Sequence, residues 1–116
     1  LVYELCRVAN KRLADAIPES VFTKPPSAEL RPDQKDSDSL PEYDVLDPIL
    51  KAYVEEFLTP AVIAERLNIS LDVVRDVVNK VDRNEYKRQQ AAPGIKVTSK
   101  AFGMGRRYPI AQRYRE

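Results

Sequence analysis

Between residues 23 and 34 the chain reads Thr-Lys-Pro-Pro-Ser-Ala-Glu-Leu-Arg-Pro-Asp-Gln, and no regular element can pass through it. Pro25, Pro26 and Pro32 fix φ, remove three backbone donors and push each preceding residue towards extended conformations. The stretch is also too polar for a buried strand. It is therefore a stiffened loop, and it brings a hydroxyl, an ammonium, a carboxylate and a guanidinium close together in sequence. A plain connector does not need that mixture, whereas binding chemistry concentrates on loops held by rigid flanking elements. With its acidic continuation through Asp33, Asp36, Asp38 and Glu42, the connection over 17–42 exceeds the usual length in a compact domain. Such a segment is either functional or a linker.

On either side the pattern is helical. Leu1, Leu5, Val8 or Ala9, Leu13 and Ala16 recur at spacings of three and four, predicting an amphipathic helix over 1–16 with Arg7, Asn10 and Lys11 turned away. Cys6 falls at the edge of that stripe as a small packing residue, and Pro18 stops the helix. A second helix is expected over 44–57, with Leu46, Ile49, Leu50, Tyr53 and Phe57 on one face. Pro48 suits only a first turn, which makes Asp47 its candidate N-cap. Thr59-Pro60 opens a helix over 60–67, and Asn68 is a left-handed stop. Ser70 caps a helix over 71–88 whose buried side is Leu71, Val74, Val77 or Val78, and Val81. From Ala91 onward two prolines and three glycines leave an extended arm over 91–116, where Phe102, Tyr108, Ile110 and Tyr114 are expected to dock. The fold class is all-α with a long loop. Because the chain opens on Leu already in helical pattern, it reads as a fragment of a longer polypeptide.

With 116 residues there is room for one modest core. One cysteine and no histidine exclude zinc-finger and Cys-His nucleophile arrangements. The glycines, Gly94, Gly103 and Gly105, all lie in the arm, so no Gly-rich phosphate loop is present. No catalytic residue and no metal site is expected in these residues. Neither a bilayer-length apolar run nor a signal peptide is visible, and a lone cysteine suits a cytoplasmic setting.

Charge is uneven: residues 1–58 carry a balance of −5 and residues 59–116 one of +6. A cationic tail implies an anionic partner. Together with the helix pair in 59–88 it also raises a helix-turn-helix DNA-binding module as a rival reading. The positions expected to be exposed after Ser70 are Asp72, Arg75, Asp76, Asn79 and Asp82. Three carboxylates there would repel the phosphates whose neutralisation supplies most of the affinity. A helical interaction domain with no ligand is the other alternative.

Three blocks carry a more specific signal. Lys24-Pro25-Pro26-Ser27-Ala28-Glu29-Leu30-Arg31-Pro32 resembles the mobile substrate loop of NAD synthetases, the ligases that amidate deamido-NAD using ATP. Asn84-Glu85-Tyr86-Lys87-Arg88-Gln89-Gln90 resembles that family's near-terminal substrate-contacting segment. Ala101-Phe102-Gly103-Met104-Gly105-Arg106-Arg107-Tyr108-Pro109-Ile110 is similar to the tail of its long, glutamine-dependent members.

The resemblance implies that residues 1–116 are the C-terminal portion of the synthetase domain, within an α/β adenine-nucleotide α-hydrolase-like fold. It implies ATP with Mg²⁺, deamido-NAD and ammonia from glutamine as reactants, and no nucleic acid or membrane partner. Residues 23–42 would be the substrate-closing loop. Ser27 would contact ATP on the phosphate side, with Lys24 adding charge there; Lys87 would contact deamido-NAD, with Tyr86 beside it. Arg106 and Arg107 would make homo-oligomer contacts. The phosphate loop and the metal-binding acids would lie elsewhere in the same polypeptide, so this piece alone would be inactive.

Overall fold

Helices form where the apolar period survives, and they end where a side chain or a left-handed residue captures the backbone. The computed structural model describes residues 1–14, 16–100, 102, 105, 106 and 108–111, and these contain helices, turns and loops but no strand. The elements are α1 (Val2–Arg12), α2 (Ser20–Thr23), a 3₁₀ turn at Asp36–Asp38, α3 (Tyr43–Val54), α4 (Pro60–Leu67), α5 (Leu71–Arg83) and α6 (Glu85–Gln89). The chain divides into two compact units, Leu1–Ser39 and Leu40–Glu116.

In the first unit α1 ends at Arg12, short of the predicted residue 16. The cause is the Asn10 side-chain amide, which donates to the Ile17 carbonyl at 2.9 Å and accepts the Ile17 N–H at 2.8 Å. That pair turns the chain back, with Ala14 left-handed at φ 51°. The polar side of α1 then meets α2: the Tyr3 and Phe22 rings lie 6.1 Å apart and the Arg7 guanidinium sits 5.5 Å from the Phe22 ring. The apolar stripe is the face left open, with Leu5 57% and Leu13 64% exposed. Cys6 is half-buried and unpaired.

The second unit holds the core. Leu46, Ile49 and Ala52 of α3, Ile63 of α4, and Val74, Val77 and Val78 of α5 pack together, with Leu50, Tyr53, Leu58, Leu67 and Ile69 partly buried against them. Burying a Val or Ile side chain contributes about 1.5–3 kcal/mol, which helices of this length need because short helices are marginal alone. The valine period in α5 is as expected, and Val81 joins the buried set. α4 begins at Pro60 after Thr59 and closes on Asn68 at φ 54°, ψ 46°, both as predicted.

Three boundaries differ from expectation. α3 starts at Tyr43, with Glu42 rather than Asp47 at the N-cap and Pro48 inside the helix. The Val45 and Leu46 amides both donate to the Glu42 carbonyl at 2.9 Å and close the first turn. The bond Pro48 cannot make would fall on Asp44, and both residues are exposed, so that carbonyl can be satisfied by solvent rather than buried unpaired. α3 then stops at Val54 instead of 57. The Leu58 amide reaches back to the Ala52 carbonyl at 3.1 Å, and Phe57 sits left-handed at φ 59° where glycine is usual. Phe57 is consequently 63% exposed, off the packing face assigned to it from spacing. Finally, the helix expected to run to 88 breaks at Asn84, whose side chain donates to the Lys80 carbonyl at 2.7 Å.

Ile49 has no solvent exposure. Replacing it with alanine is expected to destabilise the second unit by about 2–5 kcal/mol. The measurement is the guanidinium unfolding midpoint at unchanged slope, and a loss below about 1 kcal/mol would show that the site collapses around the cavity.

Candidate functional site

Two sets of polar residues stand out, one in each unit. In the first, the loop after α2 is folded on itself by hydrogen bonds. The Ser27 hydroxyl oxygen accepts the Glu29 N–H at 3.1 Å, and the Gln34 side-chain carbonyl accepts the Leu30 N–H at 2.9 Å. The Asp36 amide donates to the Pro26 carbonyl at 3.0 Å. Pro25 and Pro26 hold the approach extended, while Glu29 and Asp33 turn left-handed at φ 53° and 55°. Lys24, Ser27, Glu29, Arg31, Gln34 and Lys35 thereby line one open cavity of about 330 Å³.

The structure thus places the two predicted ATP-side residues, Lys24 and Ser27, on the same cavity. Lys24 forms an ion pair with Glu29, and its hydrogen bond and charge hold the Glu29 carboxyl below its ordinary range. Both partners are about two-thirds exposed, so the pair is weak and exchangeable. In its bond to Glu29 the Ser27 oxygen is the acceptor, which leaves the hydroxyl hydrogen to point at another oxygen.

In the second unit, α6 and the arm meet at a buried charge network. Arg106 Nη2 lies 2.7 Å from Asp82 Oδ1 and Nη1 lies 3.3 Å from Glu85 Oε2. Arg88 Nη2 lies 2.8 Å from the same Glu85 oxygen and also donates to the Val81 carbonyl. The Tyr53 hydroxyl donates to Asp82 at 2.9 Å and accepts from Arg106 at 3.3 Å. Aromatic rings complete the setting: Tyr53 and Tyr108 lie 5.2 and 4.8 Å from the Arg106 guanidinium, and Phe102 lies 4.7 Å from that of Arg88.

Burial together with the Asp82 hydrogen bond and charge pushes the Tyr53 phenol up to about 12. Burial alone would lower the Arg106 guanidinium, but the Asp82 hydrogen bond and the Tyr53 and Asp82 charges leave it raised. The network sits against a cavity of about 460 Å³ that Tyr53, Phe57, Arg75, Lys100 and Tyr108 also line. Lys100 caps the exposed Phe57 ring with its ammonium 3.2 Å from the centroid.

Tyr86 and Lys87 stand side by side on α6, both exposed, the Lys87 ammonium 6.0 Å from the Tyr86 ring. Lys87 has no carboxylate partner among the described residues. Arg106, expected at a subunit contact, is 10% exposed and satisfied by carboxylates of its own chain. Arg107 and Tyr114 lie outside the described residues.

Asp82 was expected on the solvent face of its helix. Instead it is withdrawn against the arm, and Asp76 pairs with Lys80 at 2.7 Å. Asp82, Glu85 and Tyr53 were not anticipated as a cluster. The available signal was an acidic pair three apart, followed downstream by an arginine flanked by glycine and aromatic residues. Among the described residues no three His, Cys, Asp or Glu side chains gather as a metal site. No described helix is long and apolar enough to cross a membrane.

Residues 1–91 match the family model for NAD synthase. Across 116 residues, 99% of this chain, the sequence is 51% identical to the glutamine-dependent NAD(+) synthetase of Acinetobacter baylyi, covering 21% of that protein. It is 52% identical over 113 residues to that of Synechocystis sp., covering 97% of this chain and 20% of the relative. Against that of Thermotoga maritima it is 47% identical, with 99% and 20% covered. A solved structure of glutamine-dependent NAD+ synthetase from Acinetobacter baumannii in complex with adenosine diphosphate superposes with a TM-score of 0.59 at 44% identity, covering 94% of this chain and 18% of that one. The chain thus spans about a fifth of the length of the curated relatives it matches.

The raised Tyr53 value sets a pH dependence. The folded state keeps this phenol protonated above the pH at which the unfolded chain releases it. Its contribution is therefore complete below the ordinary phenol value of 10.0 and is lost as pH rises through about 12. Denaturant unfolding across that range should show stability falling with pH, and Tyr53→Phe should remove the Tyr53 share of the slope. An unchanged slope in the variant would assign the effect to other groups.

Proposed function

This chain belongs to the NAD synthase family, and from that membership we propose that it is part of an ATP-dependent ligase converting deamido-NAD to NAD. The reaction has two steps. A carboxylate oxygen of the nicotinate group attacks the α-phosphorus of ATP and pyrophosphate leaves. Ammonia derived from glutamine then attacks the activated carbonyl carbon and AMP leaves. Activation is required because a carboxylate is a poor electrophile.

The observation that carries this reading is the family match together with the loop cavity. Ser27, Lys24, Arg31 and Lys35 present one hydroxyl and three cations around it beside the carboxylates of Glu29 and Asp33, a lining that suits an anionic phosphate chain once Lys24 leaves Glu29. Ser27 would donate its remaining hydrogen to a phosphate oxygen, and Lys24 would exchange Glu29 for phosphate charge. In this reading residues 23–42 close over bound substrate and exclude water, protecting the activated acyl group from hydrolysis. Lys87 would bind an anionic group of deamido-NAD with Tyr86 beside it. The Mg²⁺ accompanying ATP finds no ligand cluster among the described residues. It would be held by the phosphates and by residues of the same polypeptide outside this chain, as would the phosphate loop. These residues alone are therefore expected to be inactive. We extend the proposal to an adenine-nucleotide α-hydrolase-like domain, a homo-oligomer and a cytoplasmic setting. The DNA-binding alternative has no support in the face of α5, where Asp72 and Asp76 remain exposed.

Two substitutions in the intact enzyme test the assignment. Ser27→Ala removes a hydrogen bond to a charged acceptor, a loss of roughly 1.5–3 kcal/mol, expected in kcat and in kcat/KM for ATP alike. Ser27→Thr, which keeps the hydroxyl, should retain most activity. Lys87→Ala should act mainly through KM for deamido-NAD, because a cation remote from the reacting carboxylate binds ground and transition states alike. Unchanged ATP kinetics in Ser27→Ala would refute the phosphate role and leave that serine as a turn residue.

A further inference from the structure

α6 has five residues, Glu85–Gln89, and follows a break at Asn84. A helix that short does not hold itself in water, since nucleation costs more than one turn returns. Its direction, and so the direction of Tyr86 and Lys87, must be set by whatever grips its ends. At the N-terminal end that grip is Glu85, whose side chain is 4% exposed. Its Oε2 receives Arg88 Nη2 at 2.8 Å from within α6 and Arg106 Nη1 at 3.3 Å from the arm. The first of these is internal to α6, although the same Arg88 nitrogen also donates to the Val81 carbonyl of α5. The second joins α6 to the arm and, through the same guanidinium, to Asp82.

We propose that Arg106 is a positioning residue for Tyr86 and Lys87, fixing the angle at Asn84 by clasping one carboxylate on each side of the break. Its other terminal nitrogen holds Asp82 in the last turn of α5 at 2.7 Å. Tyr53 of α3 and Tyr108 of the arm lie against the guanidinium, so α3, α5, α6 and the arm share one planar cation. Asp82 and Glu85 are three apart, a spacing at which like charges repel. Without Arg106 the remaining cation, Arg88, pairs with Glu85 alone and leaves Asp82 unbridged across Asn84, so the angle is no longer held from both sides. A lysine would supply the charge but not the fork, because one ammonium is a single point while the two carboxylates are met by separate nitrogens. Glu85 joins the arm to the residues that follow it in α6, which a simple anchor for the arm would not require.

The proposal rests on Lys87 binding deamido-NAD, and a double-mutant cycle in the intact enzyme separates the two ideas. Arg106→Gln is expected to raise KM for deamido-NAD by up to about 100-fold, the scale of losing one hydrogen bond to a charged group, with kcat and KM for ATP unchanged. Arg106→Lys should recover part of that loss. In a Lys87→Ala background the Arg106→Gln effect on KM should vanish, because the residue being positioned is gone. Glu85→Gln, which loosens α6 while sparing the Arg106–Asp82 pair, should reproduce the KM effect and serves if Arg106→Gln does not fold. A KM effect that multiplies that of Lys87→Ala overturns positioning while leaving the Lys87 assignment intact. A lowered melting temperature with unchanged KM in Arg106→Gln also overturns it, leaving an anchor for the arm. If Lys87→Ala itself leaves KM unchanged, the substrate role of Lys87 and this proposal fail together.

Discussion

Ile49, Ile63 and Val74 have no exposed surface, and they lie where α3, α4 and α5 meet. Each helix is eight to thirteen residues long, at or below the length that is marginal in isolation. Mutual burial is what makes them helices at all. The geometry around this contact follows from it: the left-handed residues Phe57 and Asn68 bring successive helices back onto the same core. The buried valines of α5 in turn fix which side of that helix faces outward with Asp82.

The two polar sites built on this scaffold differ in kind. The loop pairs Lys24–Glu29 and Arg31–Asp38 are largely exposed and are screened by water and salt. Such pairs shape a loop without locking it, which suits groups that must exchange one anionic partner for another. The Arg106 network is nearly dry, and removing one member of such a network strands a buried charge at a cost of about 3–5 kcal/mol. Rigidity therefore lies at the α5–α6 junction and exchangeability at the loop.

Much of the second unit was legible in the sequence because its determinants are local. Thr59-Pro60, Asn68 and the valine spacing of α5 each act within a turn or two, and α4 appears with the predicted bounds. The family blocks placed Lys24 and Ser27 on one loop, and the loop gathers them around one cavity. What escaped depends on partners distant in sequence or on the exact exposure of a backbone group. The end of α1 is decided by an amide seven residues from its partner, and Pro48 is tolerated inside α3 because its missing bond faces water. Asp82 reads as a surface residue by helical phase, yet its partner lies 24 residues further on. Periodicity reports which face a residue occupies and is silent about an arm that returns to cover it. The same limit applies to α1, whose apolar stripe is real but is not the face that α2 meets.

The separations within the Arg106 network also set an order of events at the ribosome. Asp82 and Glu85 are 24 and 21 residues ahead of Arg106, and Tyr53 is 53 ahead. During vectorial synthesis, at about 5–20 residues per second, α3, α4 and α5 can assemble on local contacts before the arm has emerged. In that interval Glu85 has Arg88 as its partner, but no cation yet bridges it to Asp82 across Asn84. A nascent chain with its core formed would therefore hold α6 through Arg88 alone, and emergence of the arm would add the Arg106 clasp.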